Sequence, residues 1–250
     1  MSRKAYSFVR TFRREPARTL QVDRHYLLYA SAGALRLEAR GQAWLLPPAR
    51  AALIEAGEAI EVSLPQPGTT ASVLFDTCFL AAPPAPLTVF DLSPLARALL
   101  TECSAWGESD EPLPAYAETL FTALGAVCLR LAERPSPVVV PMGRSPELRR
   151  ALRLTEERLG GELRFEDVAE QVGLAPRSLA RRFEDETGMT WRAVLRRMRV
   201  LRAIEELAAG DTPVTTIAFR VGYTSLSAFN AAFRQLTDRT PTEYRASFRP

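Results

Sequence analysis

A seven-residue pattern that returns once, 49 positions later, constrains this chain more than any bulk property. Val168-Ala169-x-x-Val172-Gly173-Leu174 recurs as Ile217-Ala218-x-x-Val221-Gly222-Tyr223. Each copy is followed by apolar residues four apart, Leu179 and Phe183 in the first and Phe229 and Phe233 in the second, where the offset becomes 50. A helix, a small residue where two helices cross, a glycine able to turn left-handed and a second amphipathic helix make a helix-turn-helix. One match of this kind occurs in many bundles, but two at matched spacing indicate a duplicated unit. The second helix of such a unit projects from the body and fits a DNA major groove. Between the copies, Val194, Leu195, Met198, Leu201, Ile204 and Leu207 fall on a helical period over residues 191–209. A helix of that length spans about 28 Å, comparable with the ~34 Å between successive major grooves on one DNA face.

The first half reads differently. Short segments (LLYA, ALRLEAR, QAWLLP, AALIEAG, AIEVSLP, ASVLFD) separated by Gly33, Gly41, Gly57 and the Pro65 to Gly68 stretch predict an antiparallel barrel or sandwich. AAPPAPLTVFDLSP is expected to end the strand pattern. Two helices follow, over 94–103 and 115–133, the second with Leu120, Leu124, Val127 and Leu131 on one face. That pair either covers the barrel or forms a dimer seam. RPSPVVVPMGRSP, with four prolines and a glycine, cannot continue a helix and marks the boundary. Beyond it Ser145 and Pro146 start a helix that runs to the Gly160-Gly161 stop. The expected division is residues 1–90 as barrel, 91–133 as helical covering or dimerisation segment, 134–144 as linker and 145–250 as DNA-binding domain.

Composition excludes other classes. In 250 residues, 47% apolar and 24% charged, no apolar run approaches the ~20 residues of a membrane span. The basic N-terminus lacks a signal-peptide core, so a cytoplasmic protein is expected. Cys78, Cys103 and Cys128 lack any C-x-x-C and read as small buried hydrophobes. The lone His25 excludes a His-rich metal site and is expected at the surface or a barrel mouth. Residues 144–250 hold 19 basic side chains, every one an arginine, against 15 acidic, whereas residues 1–143 are close to neutral. Arginine's planar fork suits phosphate and guanine.

VAEQVGLAPRSLARRFEDETGMTW, RRMRVLRAIEELAAG and IAFRVGYTSLSAFNAAFRQLTDRTPTEYR together resemble the double helix-turn-helix DNA-binding domain of the AraC/XylS family of transcription regulators. The last stretch matches the family signature at Ile217, Ala218, Gly222, Tyr223, Ser225, Ser227, Phe229, Phe233, Arg234, Pro241, Tyr244 and Arg245. The resemblance implies base contacts from Arg177, Ala180 and Arg181 on the first reading helix, Arg181 being the main reader. From the second it implies contacts by Leu226, Ser227, Asn230 and Ala231. Asn230 suits adenine and Leu226 a thymine methyl, whereas family members often carry arginine where Ala231 stands. The alternative for the arginines is contact with phosphate or solvent alone. Arg196, Arg197, Arg234 and Arg245 are candidate phosphate contacts or internal ion pairs. Thr212 is expected to cap a helix whose N-terminus faces a phosphate. Arg199 reads as structural. Two departures stand out: Ala175 replaces a customary capping Ser, and Asp238 a customary turn Gly.

The strand half, joined to such a domain, resembles the family's cupin-type sensor. LLYASAGALRLEARGQAWLLPPARAALIEAG aligns with sensors reading H-x-H, then LLYA, a Pro-rich turn and P-G-x-x-H. That alignment puts Leu20, Val22 and Ile60 at the histidine positions, so no metal and no cofactor is expected. What remains is a barrel able to hold a small apolar effector, with Tyr26, Tyr29, Arg36 and Trp44 as candidate lining. The basic N-terminal arm (Arg3, Lys4, Arg10, Arg13, Arg14, Arg18) closes over the barrel, touches DNA or is disordered. The fold expected is two-domain α+β, a cupin-like antiparallel barrel with following helices and an all-α bundle whose two helix-turn-helix units share a linker helix. The function expected is an effector-controlled DNA-binding regulator, not an enzyme. Its partners would be double-stranded DNA, RNA polymerase if it activates, and a second copy of itself, with no membrane. The alternatives are a regulator with a vestigial sensor, and a cupin enzyme fused to a DNA-binding module.

Overall fold

The computed structural model describes residues 3–48, 50–64, 67–136 and 139–247. Pro65, Gln66, Pro137 and Val138, read above as turn and linker, lie outside them. The chain divides into two compact units that part at Ser136 and Pro137, with residues 40–44 grouped with the second.

Nine strands come first: β1 (Ala5–Phe12), β2 (Glu15–Leu20), β3 (His25–Ala32), β4 (Leu35–Ala39), β5 (Gln42–Leu46), β6 (Arg50–Ile54), β7 (Ile60–Leu64), β8 (Gly68–Phe75) and β9 (Leu87–Asp91). A two-residue strand, β10 (Val140–Pro141), pairs with β5. The sheets run β1-β8-β3-β6-β9 and β10-β5-β4-β7-β2, with antiparallel pairing. Two expectations are corrected here. The basic arm is neither loose nor a lid: β1 pairs with β8 along its whole length and β2 with β7. Arg3 is anchored on the Gly107 and Glu111 carbonyls at 2.7 and 3.0 Å. The strand pattern also does not end before residue 87, because β9 pairs with β6 as the sheet's last strand.

Alternation assigns the faces. Leu27 and Tyr29 of β3, Ala51 and Leu53 of β6, and Val73 and Phe75 of β8 pack with helices α1 (Pro94–Cys103) and α2 (Ala115–Ala132) into one core. Phe121, Leu124 and Cys128 supply α2's side of it. At 18 residues and mean hydropathy 1.3, α2 is by length and composition able to cross a membrane, which the sequence reading overlooked; here its inner face lies on the sheet. Cys103 and Cys128 are buried, and burial pushes each thiol up to about 12. Cys78, expected inside, is exposed. His25, expected at the surface, is buried, and its Nδ1 accepts the Ala56 N–H at 3.1 Å. Burial lowers its pKa.

The second unit is helical: α3 (Pro146–Glu157), α4 (Phe165–Gln171), α5 (Pro176–Thr187), α6 (Trp191–Ala209), α7 (Val214–Arg220), α8 (Leu226–Thr237) and α9 (Pro241–Ala246). The repeat is reproduced bond for bond. Leu174 N–H reaches back to the Ala169 carbonyl at 2.9 Å and Tyr223 N–H to that of Ala218 at 3.0 Å. Both alanines are fully buried, as close helix crossing requires. Gly173 and Gly222 turn left-handed, at φ +73° and +93°. They differ in surroundings: a Cβ on Gly173 would meet nothing within 4 Å, whereas one on Gly222 would collide with the Leu159 carbonyl and the Arg199 guanidinium. The likeness continues past the second helix of each unit, where Thr187 bonds back to the Phe183 carbonyl and Thr237 to that of Phe233. Gly188 and Asp238 then both adopt left-handed turns, at φ +66° and +56°. Asp238 therefore does the work of the glycine it replaces.

Gly173→Ala should cost about 1 to 2 kcal/mol, the left-handed penalty alone. Gly222→Ala should add an overpacking cost of about 1 to 3 kcal/mol to that penalty. Urea unfolding of the two variants measures the difference, and equal losses would contradict the assigned surroundings.

Candidate nucleic-acid interface

Helix α5 buries Leu179 and Phe183 and turns the opposite face outward. Arg177 and Arg181, four residues apart, are exposed on that face, with Ala180 half-buried between them. Helix α8 buries Phe229 and Phe233 and exposes Ser227 and Ala231 one turn apart. Leu226, its first residue, and Asn230 are half-buried, and the Asn230 Oδ1 has no hydrogen-bond partner among the described residues. Each of the seven base-contact candidates thus lies on one of the two second helices. The first helix presents Arg177 and Arg181, whereas the stretch 226–232 that opens the second is uncharged, with Arg234 exposed further along.

Their helix starts differ as the sequence indicated. Ser225 accepts the Ala228 N–H at 3.2 Å and caps α8. Ala175 stands at the corresponding place before α5 and offers no side-chain acceptor, with Pro176 following in the first turn.

The flanking candidates divide. Arg234 is exposed. Arg196 is exposed on α6 and donates to the Gln235 Oε1 of α8 at 2.8 Å. Arg197 is half-buried and its Nε has no partner among the described residues; burial, then the neighbouring Arg196 charge, lowers its pKa. Arg245 is committed inward, donating to the Thr212 carbonyl at 2.6 Å and so tying α9 to the segment before α7. The expected cap at Thr212 is corrected: Pro213 occupies the N-cap of α7, which has no side-chain cap. Arg199 is structural, donating to the Leu159 carbonyl at 3.2 Å with its guanidinium 5.6 Å from the Tyr223 ring centre.

A family model described as a helix-turn-helix domain matches residues 168–247. The HTH-type transcriptional activator RhaS of Klebsiella pneumoniae (strain 342) is 31% identical over 150 residues, 60% of this chain and 52% of that protein. The RhaS of Salmonella schwarzengrund (strain CVM19633) is 32% identical over 136 residues, 54% and 48% of the two chains. Residues 168–247 are thus similar to a helix-turn-helix domain. The chain spans about half the length of the curated relatives it matches. Among solved structures, the C-terminal domain of AraT, a response regulator from Geobacillus stearothermophilus, is 32% identical with TM-score 0.39, over 41% of this chain and 85% of that one.

The candidate effector contacts Tyr26, Tyr29 and Arg36 do not share one face. Tyr26 and Tyr29 point to opposite faces of β3. Tyr26 shares a buried hydrogen bond of 2.8 Å with Ser72 Oγ, while Tyr29 packs into the core with α1 and α2. Arg36 lies on the face of β4 opposite buried Leu35 and Leu37, and pairs with Glu38 at 2.7 Å. Trp44 is buried on β5. The buried arginine of the first sheet is instead Arg50, fully enclosed and paired with Asp91 at 3.0 Å. Every residue of its strand, RAALI, is buried, so no alternation marked it. Of the three aliphatic replacements, Leu20 and Ile60 are direct cross-strand partners, and the Val22 carbonyl accepts the Gly57 N–H at 2.7 Å.

Ala175→Ser should supply the missing cap and stabilise the protein by about 1 kcal/mol. In a domain of this size that is roughly 4 °C in Tm. Calorimetry checks it; a shift of zero would show that α5's first turn is already satisfied.

Proposed function

We propose that this chain is a transcription regulator that grips promoter DNA with helices α5 and α8. The reading is carried by one observation: the two matched units each expose, on the second helix, a face free of core residues, and that of α5 bears Arg177 and Arg181. Two hydrogen bonds from Arg181 to guanine O6 and N7 would discriminate by about 1 to 3 kcal/mol. Arg196, Arg197 and Arg234 are the phosphate contacts of this reading, while Arg245 acts through the position of α7. Residues 1–90 form the sensor, 91–133 its helical cover or the seam with a second copy, and 134–144 the linker. Activation, as named for the RhaS relatives, would bring RNA polymerase as a partner. The protein works in the cytoplasm without catalysis, and the aliphatic Leu20, Val22 and Ile60 leave no metal set at those places.

A second reading, control without a ligand, is favoured by the failure of Tyr26, Tyr29 and Arg36 to share a face. Thermal-shift screening separates the two. An effector at 100 times its Kd should add about 2.7 kcal/mol of stability. A broad screen with no stabilising compound would favour the ligand-independent regulator.

Arg181→Ala should weaken specific binding roughly 5- to 150-fold and relax preference at one base pair. Binding-site selection with the variant reads this directly. Uniform weakening across all sequences would make Arg181 a phosphate contact instead.

A further inference from the structure

Between the two helix-turn-helix units of the C-terminal domain lies an open cleft of about 470 Å³. Leu163, Arg164, Phe165 and Glu166, entering α4, form one wall. Trp191, Arg192, Leu195, Arg196 and Arg199 of α6 form the floor, and Tyr223, in the turn of the second unit, closes the other side. Four of these ten side chains are arginines and one is acidic. Arg192, Arg196 and Arg199 fall on one stripe of α6, at steps of four and three residues. Packing like charges together without matching acids is unfavourable unless an anion completes the site.

The individual arginines point the same way. Arg199 is spoken for, bonded to the Leu159 carbonyl and lying over Tyr223. Arg164 and Arg192 are exposed, and among the described residues their side chains have no ion pair or hydrogen bond. Arg196 joins the cleft to α8 through Gln235, which stands one turn beyond Ala231 on the reading face. At the base of the same cleft the Tyr223 hydroxyl is buried without a partner among the described residues, an unmet polar group at a positively charged place. We propose that this cleft seats a phosphate of the DNA backbone where the strand crosses between the two major grooves, held by Arg164, Arg192 and Arg196. The proposal rests on the DNA-binding reading above and adds a sequence-independent grip at the waist of the domain. A free oxyanion has the same chemistry, but the hydrogen bond that ties Arg196 of the cleft to Gln235 of α8 favours the backbone.

The test uses the full chain and a random-sequence duplex of about 40 base pairs, because backbone contacts carry no sequence information. Arg164→Gln and Arg192→Gln should each lower the slope of log Kd against log salt by about 0.9, and the double variant by about 1.8. Arg153→Gln, which removes an exposed charge from α3 outside the cleft, should leave the slope unchanged. Melting temperatures establish that all variants fold. If the unmodified protein fails to bind the duplex at 50 mM salt, the DNA-binding reading itself falls and takes the seat with it. If it binds and the cleft variants keep its slope, the seat alone is overturned. Stabilisation by micromolar pyrophosphate at matched ionic strength, lost in the cleft variants while their duplex slopes stay unchanged, would assign the cleft to a free oxyanion and overturn the backbone assignment.

Discussion

Helix α6 is buried at both ends by different partners, and the C-terminal domain depends on that sharing. Its first half, through Trp191, Val194, Leu195 and Met198, completes the core that α3, α4 and α5 build. Its second half is buried too, through Leu201, Ile204 and Leu207, where the helix meets α7 and α8. Neither helix-turn-helix unit has a complete apolar core without it. Because the 19 residues form one uninterrupted helix, the distance between the two reading helices is set by backbone geometry rather than by a flexible joint. The buried hydrogen bond from Trp191 Nε1 to Thr155 Oγ1, at 3.0 Å, fixes the end of α6 that enters the first unit.

The helical half was legible because its signals are local. A glycine turn, a buried alanine and apolar pairs four apart each act within one or two helical turns, and the duplication states them twice. Even the missing cap at Ala175 and the left-handed Asp238 could be read from single positions. The strands were legible only where one face is apolar. β2 escaped because it is an edge strand whose residues are almost all exposed, so the charged Glu15 and Arg18 stand where a central strand would be apolar. β9 escaped because prolines precede it and its pairing with β6 is long-range.

The candidate effector contacts were least legible, for a related reason. A strand's register decides which side chains share a face, and a step of one residue exchanges the two faces. Tyr26 and Tyr29, three apart, had to diverge once both lay in β3. His25 was misplaced in the same way: its ring nitrogen serves the loop after β6, a partner no local pattern announces.

The duplication is imperfect, and the imperfection has a direction. Helix α5 carries Arg177 and Arg181 and starts uncapped at Ala175, while α8 is uncharged over its first two turns, capped by Ser225 and followed by a turn built on Asp238 rather than glycine. A symmetric dimer of identical readers meets a palindrome and has no front or back. With two unlike helices held on one rigid helix, a chain that binds DNA as proposed would be polar along the duplex, so turning its site end for end would present each helix with the other's bases.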